Sequence, residues 1–315
     1  TVPVEKADDG KIQIVATLFP YYDFARAIAQ DRADVTLLLS PGREAHSFEP
    51  TPLDAVTISE ADVFLYNGGE GEYWVESMLD AAGEHIAVAS RMMDYVDALN
   101  EEYVEGMQGT DGHDHDHEHG SHDDHDHDHE EDEHDSDEIE YDEHIWTSPK
   151  NAVVLCRAVC DAICRADAEN AAFYRANCEN YCAQLEDLDA RFAALCESAP
   201  RRLLIFADRF PMLYFCREYG LDYRAAFHGC SGDTEPSLAT IKFLIDKVED
   251  ENIPVVYTID FGTKKVAAVV SECTGAAIDT LYSMQTVSRA DFDAGETYLT
   301  LMERNFEALR KGLNE

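Results

Sequence analysis

The chain has 315 residues, and its 24 basic and 65 acidic side chains give a net charge of −41. This length predicts two domains of roughly 100–150 residues each rather than a single core. The acidic balance disfavours nucleic acid and anionic membranes as partners and favours cations, and no apolar run approaches the ~18 residues that predict a membrane span.

Short strand-like runs alternate with helical runs along the first ninety residues. This alternation predicts βα units around a mainly parallel sheet. After a polar lead at 1–10, strands are predicted at 11–17, 35–39, 63–66 and 86–89, and helices at 21–29, 53–59 and 74–82.

A low-complexity insertion at about 108–140 interrupts this pattern. It contains DGHDHDHEHGSHDDHDHDHEEDEH, with nine of the thirteen histidines of the chain. Imidazole is the commonest metal ligand in proteins, and together with Asp and Glu it could hold Zn²⁺ in many arrangements. The insertion has almost no apolar residues to offset its ordering entropy, so we expect it to be disordered without metal and to act as an auxiliary metal-collecting loop; the alternative is a solvated acidic loop. Its histidines are His113, His115, His117, His119, His122, His125, His127, His129 and His134.

Beyond the insertion, the βα theme returns after two long helical runs. The helix predicted at 168–198 has no Gly or Pro and would be about 45 Å long. Strands are then predicted at 203–206, 222–227 and 255–259, and helices at 149–165, 212–219, 238–249, 264–274 and 298–311. The predicted fold is α/β, with two βα lobes (11–167 and 199–315) joined by one long rigid helix (168–198).

Six of the nine cysteines lie between residues 156 and 196. Cys156, Cys160 and Cys164 are four residues apart and share one face of a helix. Buried thiols that act as small apolar residues are the first expectation. A disulfide between neighbouring helices is the alternative, and the odd total leaves at least one thiol free. The absence of CxxC disfavours a thiolate zinc knuckle.

Three histidines outside the insertion are candidate metal ligands. His46 follows the predicted strand 35–39, His144 lies where the insertion ends, and His228 follows the predicted strand 222–227. In open α/β sheets, ligands bind beyond the carboxyl ends of the strands. A single histidine is more often structural, but three such positions beside a metal-collecting segment favour ligation.

A closed zinc site needs four ligands, so a carboxylate is expected at the remaining position. The candidates are Glu44, Glu143, Asp208 and Glu235. Glu44 or Glu143 could instead accept a hydrogen bond from a ligand imidazole. Asp208 follows a predicted strand and is expected to point into a cleft between the lobes, although a helix N-cap or a salt bridge with Arg209 would also explain it.

Four segments resemble the metal-binding substrate-binding proteins of bacterial ABC transporters, of the zinc/manganese importer type. They are PGREAHSFEPTP, DEHIWTSPKNA, REYGLDY and TYLTLMERNFEALRK, and the resemblance runs from about Lys11 to Leu313. It implies that His46 and His144 bind metal in a cleft between two lobes joined by a helix that limits closure. It also implies a monomer that delivers its ion to an ABC permease in the membrane, and a histidine-rich loop placed as in zinc-specific members.

The resemblance breaks down at the family's third and fourth ligands. Arg209 stands where a histidine or glutamate is expected, and Tyr282 where an aspartate is expected. His228 and Asp208 are the available substitutes, with Glu235 as an alternative. The predicted ligands are therefore His46, His144, His228 and Asp208 or Glu235.

The leading functional hypothesis is an extracytoplasmic, high-affinity zinc receptor that is not an enzyme. Either the chain is cytosolic or its numbering begins after a removed export segment, and the resemblance favours a periplasmic or lipid-anchored protein. A manganese receptor is an alternative, which two histidines with two carboxylates would favour. A metal-dependent hydrolase is less favoured because HExxH and GxSxG motifs are absent. A metal buffer or surface adhesin without a transporter would show the same binding chemistry.

Overall fold

The computed structural model describes residues 10–43, 48–82, 86–107, 140–229 and 235–314. The first lobe is built on a four-stranded sheet with strand order β2-β1-β3-β4, in which every neighbouring pair is parallel. This confirms the predicted βα alternation. The strands are β1 Ile12–Ala16, β2 Ala33–Leu37, β3 Val63–Tyr66 and β4 Val88–Arg91, and the helices are α1 Phe19–Ala29, α2 Pro52–Ser59 and α3 Val75–Ala82.

A helical hairpin follows the first lobe. It consists of α4 Pro149–Ala166 and α5 Ala171–Ser198, which pack against each other. The helix predicted to begin at residue 168 begins at Ala171, because residues 168–170 form a 3-10 turn in which the Asp167 side chain accepts a hydrogen bond from Asn170 N. With 28 residues, α5 is about 42 Å long.

The second sheet has the order β6-β5-β7-β8 and is also entirely parallel. Its strands are β5 Leu203–Phe210, β6 Asp222–His228, β7 Val255–Ile259 and β8 Ala277–Leu281. The helices are α6 Leu213–Tyr219, α7 Leu238–Asp250, α8 Lys265–Thr274, α9 Arg289–Ala294 and α10 Tyr298–Asn314.

Two elements were not expected from the sequence, β8 and α9. β8 is an edge strand that buries only Leu281, so its sequence lacks the apolar run of a central strand. α9 has six residues and buries none of them; Ser288 caps it by accepting a hydrogen bond from Asp291 N. The predicted architecture of two parallel βα lobes with a long helix between them is confirmed, while the division at residues 167 and 198 stays a prediction.

Buried contacts hold the two lobes together around Trp146. Its ring is 0% exposed, and its Nε1 donates to Ser283 O at 2.8 Å. Tyr298 OH, at the start of α10, donates to Trp146 O at 2.7 Å. A wide opening of the lobes would leave these polar groups unsatisfied, so the geometry favours small lobe shifts.

Candidate metal centre between the lobes

The DEHIW segment holds His144 at the junction of the lobes. Ile145 and Trp146 are both fully buried and anchor the short 3-10 turn that begins there. The His144 side chain is 1% exposed, and its ring meets the Trp146 ring edge-to-face with centroids 5.6 Å apart. The two apolar residues after the histidine therefore set the position of its ring.

Asp142 orients His144. One carboxylate oxygen, Oδ1, accepts from His144 N at 2.8 Å and lies 3.1 Å from His144 Nδ1. This contact favours the tautomer in which Nδ1–H donates to the carboxylate and the lone pair is on Nε2. Metal-binding histidines are commonly held in this way, which fixes the ring and raises its basicity. Sequence reasoning missed Asp142, although an acid two residues before the histidine was a visible signal.

The Glu143 carboxylate lies against the loop at Gly69–Gly71. Its Oε1 accepts from Gly71 N at 2.8 Å. A Cβ atom at Gly69, which has φ +93°, would collide with the same carboxylate. Burial raises the pKa of Glu143. At His144 the Nδ1 position is taken by the Asp142 carboxylate, and whether Glu143 holds the ring N–H of another ligand stays a prediction.

His228 is the last residue of β6 and has a carboxylate partner of its own. Its Nδ1 pairs with Glu101 Oε2, and the Tyr103 ring lies 5.0 Å away between centroids. The His228 side chain is 18% exposed, whereas that of Glu101 is only 2% exposed. Glu101 lies in irregular structure after β4, so no pattern in the sequence pointed to it.

The structure brings His144 and His228 into the same neighbourhood. A Cβ atom at Gly229, the residue after His228, would lie 3.0 Å from His144 Cε1. Burial lowers the pKa of His144, but the charges of Asp142, Glu143 and Glu101 outweigh it and the pKa is raised above the usual 6.5. Glu101 is thus paired with one histidine and electrostatically coupled to the other.

Asp208 lies inside β5 rather than after it, because the strand continues to Phe210. The pairing of β5 with β6 shifts register between Phe206 and Arg209, directly at this residue. The Asp208 carboxylate accepts from Arg209 N at 2.9 Å and lies against Gly262, beyond the end of β7. Its carboxylate therefore lies at the carboxyl edge of the second sheet, where a ligand site was expected.

Glu235 and Tyr282 have partners on helices of the second lobe. The Glu235 side chain is 82% exposed, and its described ion-pair partner is Lys265 on α8 at 3.6 Å. Tyr282 lies against α10, where its backbone N donates to Asn305 Oδ1 at 2.7 Å. His46, Glu44 and the nine histidines of the insertion lie outside the described residues.

A small cavity adjoins the site on the side of the first lobe. The Phe48 ring, two residues after His46 in the sequence, packs against the Trp74 ring at a tilt of 60°, with ring centroids 5.5 Å apart. Both rings line the cavity together with Glu72 and Glu143. Burial raises the pKa of Glu72 to about 7, and its Oε1 has no hydrogen-bond partner among the described residues. The protein thus keeps a second enclosed carboxylate close to Glu143.

Two parallel α/β lobes joined through a long helix, with carboxylate-held histidines at their junction, define a two-lobed metal-binding receptor. The chain matches the family described as "Zinc-uptake complex component A periplasmic" over residues 14–312, and it belongs to that family. This is a family of metal-binding receptors and not of enzymes, so the hydrolase alternative is set aside.

Individual relatives agree with this assignment. The chain is 30% identical over 306 residues to the high-affinity zinc uptake system protein ZnuA of Bacillus subtilis. The aligned region covers 96% of this chain and 88% of that protein. It is 29% identical to the zinc-binding lipoprotein AdcA of Streptococcus pneumoniae, over 98% of this chain and 57% of AdcA. The Zn(II)-bound ZnuA-like domain of the same AdcA superposes with a TM-score of 0.74 at 26% identity, over 97% of this chain and 100% of that domain.

Proposed function

We propose that this protein is an extracytoplasmic receptor that captures Zn²⁺ with high affinity between its lobes and delivers it to an ABC permease. The observation that carries the proposal is the Asp142–His144 pair, a buried imidazole whose Nδ1 is held by a carboxylate, as in histidines that bind metal. Proteins of this family work with ABC transporter components, which supports the permease as the partner.

The proposed ligands are His46, His144 and His228, with one carboxylate completing the site. Asp208 remains the candidate from the sequence, and Glu101 joins it because it already contacts His228. The exposure of Glu235 argues against the alternative fourth ligand. Four protein ligands close a zinc site and leave no position for a reactive water, as a transport site requires.

A site rich in imidazole favours zinc over manganese, because the harder Mn²⁺ prefers carboxylate oxygens. The relatives named above are a zinc uptake protein and a zinc-binding lipoprotein, which supports the same choice. The histidine-rich insertion would then be an auxiliary collecting loop for the same ion.

The proposed location is the periplasm or the outer cell surface, where the chain acts as a monomer. None of the described helices is both long and apolar enough to cross a bilayer. The net charge of −41 suits the attraction of cations.

The test is a zinc competition titration on a chain from which residues 108–139 are deleted, so that the histidines of the insertion do not contribute. We expect one tight Zn²⁺ at the histidine site of each chain, and His228→Ala should weaken that site roughly 10–100-fold. Glu235→Gln is the matched control, and it should bind like the parent. Absence of a tight site in the parent would overturn the function, whereas unchanged binding in His228→Ala would remove His228 from the ligand set.

A further inference from the structure

A group of buried thiols lies where α4 and α5 pack together. Its sulfur atoms differ in chemistry from the imidazoles and carboxylates of the histidine site. We call Cys156 and Cys160 of α4 and Cys178 and Cys182 of α5 the thiol cluster. All four side chains are at most 3% exposed. The sulfur atoms of Cys156, Cys178 and Cys182 lie within 4.8 Å of one another, and the Cys160 thiol interacts with Cys178.

The sequence explains why these sulfurs converge. Each helix carries two cysteines four residues apart, so both members of a pair lie on the same face. The turn at 168–170 folds α5 back onto α4, and the two faces then meet. The helical hairpin is thus a scaffold that presents two CxxxC pairs to each other.

The spacing of the sulfurs fits a metal ion better than a disulfide. Cys178 Sγ and Cys182 Sγ are 3.9 Å apart. Metal–sulfur bonds of about 2.3 Å place neighbouring sulfurs about 3.8 Å apart in a tetrahedral site and about 4.0 Å apart in a trigonal one. A disulfide would instead need two sulfurs to approach to about 2.05 Å.

Two thiols of the cluster also contact backbone carbonyls of α4. Cys178 Sγ donates to Cys156 O at 3.8 Å, and Cys182 Sγ donates to Val153 O at 3.9 Å. The same two sulfurs contact each other, and either could be the donor. Ordinary packing does not require such convergence, because a buried cysteine behaves as a small apolar side chain wherever it lies.

We propose that the thiol cluster binds one thiophilic closed-shell metal ion of the Zn²⁺, Cd²⁺ or Cu⁺ class, separately from the site between the lobes. Cys156, Cys178 and Cys182 supply three sulfur ligands, and Cys160 is placed to supply a fourth. Each ligating thiol loses its proton to solvent as its sulfur lone pair bonds to the ion, and no electrons are transferred. The bound ion ties α4 to α5 and stabilises the hairpin between the lobes.

Cadmium is the probe for this site, because thiolate–Cd²⁺ charge-transfer absorption and ¹¹³Cd NMR both distinguish sulfur from nitrogen and oxygen ligands. The full chain is reduced, refolded with Cd²⁺ so that the buried sulfurs are accessible during loading, and dialysed against a chelator. We expect one retained Cd²⁺ per chain with three or four sulfur ligands. Cys178→Ala should abolish the charge-transfer band, whereas Cys216→Ala, which removes a buried thiol from α6, should leave it unchanged.

Three results would overturn the proposal. They are no sulfur-bound Cd²⁺ with all thiols free, a charge-transfer band that survives in Cys178→Ala, or an intact mass lower by two hydrogen atoms, which indicates a disulfide between α4 and α5. Circular dichroism checks the fold of each variant, and Cys182→Ala replaces Cys178→Ala if the latter does not fold. His228→Ala should leave the band intact, so failure of this site and failure of the zinc receptor function are distinguishable.

Discussion

Removing the carboxylate that holds His144 should weaken zinc binding without removing a ligand. In Asp142→Ala, the imidazole loses the 3.1 Å contact at Nδ1, and the backbone N of His144 loses its 2.8 Å acceptor. Loss of such a partner costs roughly 10–100-fold in metal affinity, which corresponds to about 1.4–2.8 kcal/mol. In Asp142→Asn an amide oxygen can still accept from Nδ1–H but carries no charge, so the loss should lie at or below the lower end of that range.

The assay is competition with a chromophoric zinc chelator near neutral pH, on the chain lacking residues 108–139. Glu143→Gln is the matched control, because it alters the adjacent buried carboxylate, which bonds to Gly71 N and not to the His144 ring. It should bind zinc within about threefold of the parent, well inside the loss expected for Asp142→Ala. The reasoning fails if Asp142→Ala also stays within that range, or if Glu143→Gln weakens binding equally.

Two predictions concern pH. Burial lowers the pKa of His144, but the charges of Asp142, Glu143 and Glu101 outweigh burial and raise the pKa overall. As the pH falls, protons should therefore begin to displace zinc at a higher pH than they would from an ordinary imidazole. Titrations across pH should show this onset, and Asp142→Asn should move it to lower pH; an onset that does not move contradicts the assignment. Burial raises the pKa of Glu72 from 4.5 to about 7, so its contribution to stability is complete below pH 4.5 and is lost as the pH rises to about 7. The loss is at most about 3 kcal/mol. In urea unfolding, Glu72→Gln should be more stable than the parent at pH above 7 but not near pH 4.5. An equal difference in stability at both pH values would refute this.

Local sequence determined most of the secondary structure. It also determined the two buried residues, Ile145 and Trp146, that anchor the turn at His144. Buried strands such as Val63–Tyr66 are continuous apolar runs, and α2 begins at Pro52 with a capping box between Thr51 and Asp54. These signals lie within a few residues of each other, so they can be recognised in the sequence without knowledge of the fold. The exposed edge strand β8 carries no such run and was missed for that reason.

The sequence also determined the class of chemistry, because a histidine-rich insertion and the motif around His144 indicate metal binding from residue types alone. The partners of the imidazoles were decided by tertiary structure. Asp142 and Glu143 are adjacent acids, and only the loop at Gly69–Gly71 turns the second one away from the ring. Glu101 meets His228 across 127 positions of sequence, and the sulfurs of Cys156, Cys178 and Cys182 converge because a three-residue turn folds α5 onto α4. Such pairings depend on which elements pack together, and packing is a property of the whole chain rather than of any segment.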